Sequence, residues 1–139
     1  VKVSEADKWF SKCVRMRDQW TCTSCGVYYP EGKRQGIHCS HFIGRANYAT
    51  RFLGMNAWAH CYGCHSQFEQ NPHDFVEWVK ERLGPYQYNA LIEIKNDMDR
   101  ARRARREKKE IAAHYRSEHR RMEEEISQGV LHVRFADYE

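Results

Sequence analysis

Two cysteine pairs of identical spacing constrain this chain more than any other feature. They are Cys22-Thr23-Ser24-Cys25 and Cys61-Tyr62-Gly63-Cys64, with Cys25 and Cys61 standing 36 positions apart. A CxxC turn lets both sulfurs of a pair face one ion, and two such pairs make a closed tetrahedral site of four thiolates, the structural kind of zinc site. The N-terminal run VKVSEADKWF has no basic region followed by an apolar stretch, so no secretory leader is expected. Paired cysteines without such a leader point to metal rather than disulfides, and to a reducing, cytoplasmic setting. Cys13 falls on the apolar face of a helical stretch and is expected in the core, whereas Cys39 is either strand core or a substitute ligand.

With 139 residues, the chain has room for one ordinary domain or a small domain plus an extension. A small core gains much of its stability from a metal staple. Its hydrophobic fraction of 41% and aromatic fraction of 13% argue against wholesale disorder. No run approaches the roughly 18 apolar residues of a membrane span, so no membrane partner is expected. A net charge of +4 is too mild to name a partner, and the distribution of charge matters more.

The pattern along the chain is α+β. Ser4, with Asp7 three residues on, opens a helix carrying Trp9, Phe10, Cys13 and Val14 at helical spacing. Between Gln19 and Gly44, turn signals separate β-prone pieces at Val27–Tyr29 and Ile37–Ile43, expected to form a ribbon. A helical pattern with Phe68, Phe75, Val76, Trp78, Val79 and Leu83 ends at Gly84-Pro85. From Tyr86 to Gln128 there is neither Gly nor Pro, which predicts one long helix, or two with a soft joint. The weak alternation of Val130–Phe135 predicts a short strand. The expected division is thus a core over 1–84 and an extension over 85–139.

Between and beside the cysteine pairs stand His41, Asn56 and His65, in that order. With the run Arg17–Gly26 ahead of them and Asn56–His65 closing, this arrangement resembles the HNH nucleases, also called ββα-metal or His-Me finger, with a zinc knuckle. The stretch from His38 through Phe42, followed by Arg51, Phe52 and Asn56, resembles more narrowly the phage recombination nucleases of the NinG/Rap type. The resemblance covers residues 7–83 and leaves the basic helix outside. It implies a small zinc-stapled ββα core with an N-terminal helix. It further implies hydrolysis of DNA phosphodiester bonds, structure-specific for branched recombination intermediates such as Holliday junctions and D-loops, with a recombinase as a further partner.

Phosphodiester hydrolysis needs an activated water, charge neutralisation at phosphorus and help for the leaving oxygen. A histidine is a suitable base near pH 7, and the resemblance assigns that role to His41, with Asn56 bracing the loop that holds it. A divalent ion, Mg²⁺ or Mn²⁺, polarises the phosphate, and the resemblance makes His65 its ligand. One departure stands out. The residue before the base, commonly Asp or His in HNH sites, is here Ser40. On a strand, residues two apart share a face, so His38 points with Ser40 and becomes the replacement ligand. Glu69, one helical turn after His65, and His73 are the alternatives.

The run from Arg100 to Lys109 holds seven basic residues and one acid. Arg102, Arg103, Arg105 and Arg106 are expected to contact DNA phosphates, as are Lys33, Arg34, Arg45 and Arg51 in the core. The competing reading is a solvated helix whose charges pair with acids three or four residues away, such as Asp99 and Glu110. A helix this long also suits a homodimer. Two other functions remain open on sequence alone: a non-catalytic zinc-knuckle DNA-binding module, kept open by Ser40, and a site-specific homing or restriction-type HNH nuclease, for which the chain is short.

Overall fold

The computed structural model describes residues Val1–Glu139 as an α+β chain of five helices and a two-stranded sheet. Helix α1, Glu5–Arg17, begins at a reciprocal cap. The Ser4 amide donates to Asp7 Oδ2 at 2.7 Å, and Asp7 N–H donates back to Ser4 Oγ at 3.3 Å. Strand β1 is His38–His41 and β2 is Ala57–His60, antiparallel, with His38 opposite His60 and His41 opposite Ala57. Helix α2, Tyr62–Gln70, follows β2 directly, and α3 spans Pro72–Lys95.

The ribbon forms with a different partner from the one expected. Val27–Tyr29 does not pair with β1; Tyr28 makes only a single bridge to Thr21. Val27 and Tyr28 are exposed, whereas every residue of β2 is buried. A strand buried on both faces offers β1 more apolar surface than the knuckle loop can.

Helix α3 is broken at Gly84, whose φ of 78° is a conformation only glycine adopts without strain, with Pro85 next in line. Beyond it the chain forms no single long helix. It continues to Lys95, restarts as α4, Met98–Arg106, under the cap of Asp97, and continues as α5, Lys108–Ser127. Nor is 85–139 an outlying extension. Ile111, Tyr115 and Met122 of α5 lie on one helical face and are buried against Ala6, Phe10, Cys13 and Val14 of α1, in one core that also takes Phe52, Ala57 and Val133. The apolar face of α5 is therefore engaged within the chain.

Val130–Phe135 makes no strand. Its side chains Val133 and Phe135 plug the core instead. The backbone of this tail is held by side chains of α5: Arg121 donates to Arg134 O at 2.6 Å, and just beyond the segment Ala136 N–H donates to Glu118 Oε1 at 2.7 Å. No helix is long and apolar enough to cross a membrane.

Candidate metal centre and adjoining cleft

The two CxxC turns meet. Cys22 and Cys25 lie in a tight turn closed by Gly26 N–H donating to Cys22 O at 2.9 Å, with Gly26 at φ 84°. Cys61 caps the N-terminus of α2, and Cys64 sits in its first turn. Thr23 ties the first turn to β2, its amide donating to Ala59 O at 2.9 Å. All four sulfurs lie within 4.8 Å of one another, and Cys25 Sγ is 3.7 Å from Cys61 Sγ. A tetrahedral zinc with bonds of about 2.3 Å separates its sulfurs by roughly 3.8 Å. In each pair the second cysteine's amide donates to the first sulfur, at 3.5 Å for Cys25 to Cys22 and 3.4 Å for Cys64 to Cys61.

The thiols of the cluster are pulled in opposite directions. Burial acts to raise Cys22, but amide donors from Cys25 and Cys61 outweigh it and bring the thiol down to about 7. Burial and the hydrogen bond with Cys61 push Cys64 up to about 12. Four thiols this close cannot all ionise without a positive ion between them. The four cysteines thus form a cluster able to bind zinc.

Strand alternation on β1 places Ser40 and His38 against α2 and turns Cys39 and His41 toward α1. Ser40, fully buried, lies 2.6 Å through its Oγ from His65 Nδ1. The His38 ring stacks on His65, centroids 5.2 Å apart and 11° from parallel. His65 Nε2 meets Glu69 Oε1 at 3.1 Å, one turn further along α2. The cysteine quartet closes on one point; His38, His65 and Glu69 do not converge in that way. His73 is exposed on the first turn of α3.

His41 packs against Phe10 of α1, ring centroids 5.8 Å apart, and its Nε2 lies 3.0 Å from the Arg51 carbonyl. A carbonyl only accepts, so Nε2 carries the hydrogen and the lone pair of the neutral ring resides on Nδ1. Burial, reinforced by the Arg45 and Arg51 charges, pulls the imidazole down to about 4, so it is neutral at pH 7. Asn56, fully buried, staples the intervening loop. Its Oδ1 accepts from Ile43 N–H at 2.8 Å, and its Nδ2 donates to Ile43 O at 2.9 Å and to Thr50 O at 3.1 Å.

His41 and His65 line one open cleft of about 540 Å³, together with Glu69, Arg45 and three basic residues of α1. Those three are Lys8, Lys12 and Arg15, which sequence reasoning passed over. Their spacing of four and three residues, one face of a helix, was the available signal.

Of the four basic residues expected to touch DNA in the core, Arg45 lines the cleft. Arg51 does not. It is 1% exposed and grips Asp7 at two points, Nε to Oδ1 at 2.9 Å and Nη2 to Oδ2 at 2.5 Å. Burial alone would raise the Asp7 carboxyl, but the bonds from Arg51 and Ser4 overcome it and hold the pKa below the usual value. Arg34 stacks over Trp20 at 4.9 Å and lines a separate groove, and Lys33 is exposed in the preceding turn. Arg102, Arg103, Arg105 and Arg106 are all on α4, with Arg102, Arg103 and Arg106 paired to acids. Arg102 pairs with Asp99, while Arg103 and Arg106 both reach Glu107, at 3.1 and 3.5 Å, so that Glu107 rather than Glu110 is the partner of Arg106. Arg105 lies 4.8 Å over the Tyr48 ring. His60, packed among Phe68, Phe75 and Trp78 with neither ring nitrogen bonded, belongs to the core.

Compared with known families, residues 3–125 match the family model described as Bacteriophage Lambda NinG protein. No curated protein and no solved structure matches.

Proposed function

This chain belongs to the bacteriophage lambda NinG family, and from that premise we propose that it is an HNH-type, metal-dependent endonuclease hydrolysing DNA phosphodiester bonds, structure-specific for branched recombination intermediates. The observation that carries the reading is the state of His41: neutral, with Nε2–H donated to the Arg51 carbonyl and Nδ1 free, in a cleft shared with His65 and Glu69.

A strand laid in this cleft would have its phosphates met by Lys8, Lys12, Arg15 and Arg45. Nδ1 of His41 takes the proton of a water as its oxygen attacks phosphorus, the bond from phosphorus to the 3′ oxygen breaks, and the departing 3′ oxygen takes a proton from solvent in the open cleft, leaving a 5′-phosphate and a 3′-hydroxyl. A low pKa means that His41 needs no prior deprotonation, at the cost of intrinsic basicity. His65 and Glu69, an imidazole and a carboxylate 3.1 Å apart, are the residues that would hold Mg²⁺ or Mn²⁺, with Ser40 orienting His65 and His38 stacked behind it. Such an ion would supply Lewis-acid stabilisation of the charge that builds up on the phosphate and the leaving oxygen. In this reading the cysteine quartet holds a structural zinc that ties the knuckle to the start of α2.

The test is nicking of supercoiled plasmid with Mg²⁺ or Mn²⁺ against EDTA, followed by a panel of Holliday junction, D-loop, flap and linear duplex. Metal-dependent cleavage favouring branched DNA is expected. The presence of Ser40 in place of an acidic or imidazole ligand favours one other reading, a zinc-knuckle module that binds DNA without cutting it. Salt-sensitive binding with no nicking under any metal would establish that reading instead.

A further inference from the structure

Three successive carbonyls of the loop before β2 each accept a side-chain donor. Asn56 Nδ2 donates to Thr50 O at 3.1 Å, His41 Nε2 to Arg51 O at 3.0 Å and Tyr115 Oη to Phe52 O at 2.6 Å. Two residues on, Gly54 is held from both sides. Its amide donates to Asp137 Oδ1 at 2.9 Å, and its carbonyl accepts from Arg17 Nη1 at 2.9 Å. A Cβ on Gly54 would come within 3.2 Å of Phe135 and 3.3 Å of Asp137, so the C-terminal tail lies directly on this loop. The tail is locked in turn, because Tyr138 N–H donates to Tyr115 Oη at 3.1 Å and the Tyr138 hydroxyl donates to Glu107 at 2.5 Å.

The Arg51 carbonyl therefore has no freedom of its own. Its neighbours on the loop are clamped by α5 and by a tail that lies beyond the residues matched by the family, 3–125. We propose that Tyr115 and Asp137 are positioning residues for His41. By clamping Phe52 O and Gly54 N–H they set where the Arg51 carbonyl stands, and so which way the imidazole presents Nδ1 to the cleft. The proposal rests on the reading of His41 as general base, since only then does its aim matter to a rate.

The experiment uses the zinc-loaded 139-residue chain with Tyr115→Phe, Asp137→Ala and Asp137→Asn. Two readouts are taken: steady-state cleavage of a branched DNA, and the His41 Nε2–H signal and its solvent exchange by NMR on ¹⁵N-histidine-labelled protein. A loosened base geometry is expected to lower kcat about tenfold or more. KM and DNA affinity stay within about twofold, because neither residue lines the basic cleft. Faster exchange of the His41 Nε2–H should accompany the loss. Asp137→Asn keeps an oxygen acceptor for Gly54 N–H and should restore both readouts. If Asp137→Ala does not fold, Tyr115→Phe, which keeps the ring in the core, decides alone. Wild-type kcat and wild-type exchange in the folded variants overturn the proposal, as does equal loss in Asp137→Asn and Asp137→Ala. If the wild-type chain cleaves no DNA, the nuclease reading has failed, and the exchange readout alone judges the clamp.

Discussion

His41 is held by the backbone of Arg51: the Arg51 carbonyl accepts the His41 Nε2–H at 3.0 Å, while the Arg51 side chain runs the other way into a buried pair with Asp7 of α1. One residue thus orients the candidate base through its backbone and anchors the first helix through its charge.

Arg51→Gln should accordingly cost stability rather than DNA affinity. Removing one member of a buried ion pair costs up to about 3–5 kcal/mol, and here less than that, because Ser4 still donates to Asp7 and Arg45 stands 3.9 Å away. Urea unfolding at pH 7 measures the loss. A variant that unfolds like the wild type, yet lowers the slope of log affinity against log salt, would restore Arg51 to the DNA-binding set.

One zinc per chain is expected by elemental analysis after dialysis, bound by Cys22, Cys25, Cys61 and Cys64. Cys61→Ser should lose the metal and the cooperative fold together, because the site joins the knuckle to α2. Retention of full metal and a native melting transition in that variant would mean that the quartet is not the site.

His41→Ala should remove cleavage, by about 10²–10⁴-fold, while far-UV circular dichroism and junction binding persist. His65→Ala and Glu69→Gln should instead raise the Mg²⁺ concentration needed for half-maximal rate. Undiminished cleavage by His41→Ala excludes it as the base.

Two basic surfaces are candidates for the proposed DNA contact. Replacing Lys8, Lys12 and Arg15 with Gln, and separately Arg102, Arg103, Arg105 and Arg106, should each lower the salt slope on duplex DNA, by about 0.9 for every phosphate that is no longer neutralised. The α1 set lines the cleft and should also raise KM for cleavage. The α4 set should weaken junction binding more than linear binding if it touches a second arm. An unchanged slope for the α4 set assigns it to the ion pairs with Asp99 and Glu107.

Acid should destabilise the fold through its buried imidazoles. Burial brings His60 down to about 4 from an ordinary 6.5. Above pH 6.5 neither the folded nor the unfolded state binds this proton, so stability is unaffected there. Between 6.5 and 4 the unfolded chain is protonated and the native one is not, so stability falls as pH drops, and below 4 the penalty is constant. At pH 5 the penalty is roughly 2 kcal/mol. His60→Phe, suited to a cage of Phe68, Phe75 and Trp78, should lose less stability than wild type between pH 7 and pH 5 by about that amount. Equal losses would show that another group carries the acid sensitivity.

What the sequence determined by itself was local. The Ser4–Asp7 cap, the two CxxC turns and the break at Gly84-Pro85 each depend on residues within a few positions of one another, where backbone geometry leaves few choices. Alternation along His38–His41 likewise settled which side chains share a face. The tertiary structure decided everything that depends on a distant partner. β1 took β2 rather than Val27–Tyr29 because burial, not proximity in the chain, rewards strand pairing. An arginine reads the same in sequence whether it meets phosphate or carboxylate. Only the placement of α1 over the loop made Arg51 a buried partner of Asp7, and only the packing of α1 left Lys8, Lys12 and Arg15 facing the cleft. The helices beyond Pro85 have too thin an apolar stripe to announce a core. They found one because Ile111, Tyr115 and Met122 meet α1, and the tail then closed over the loop that holds His41.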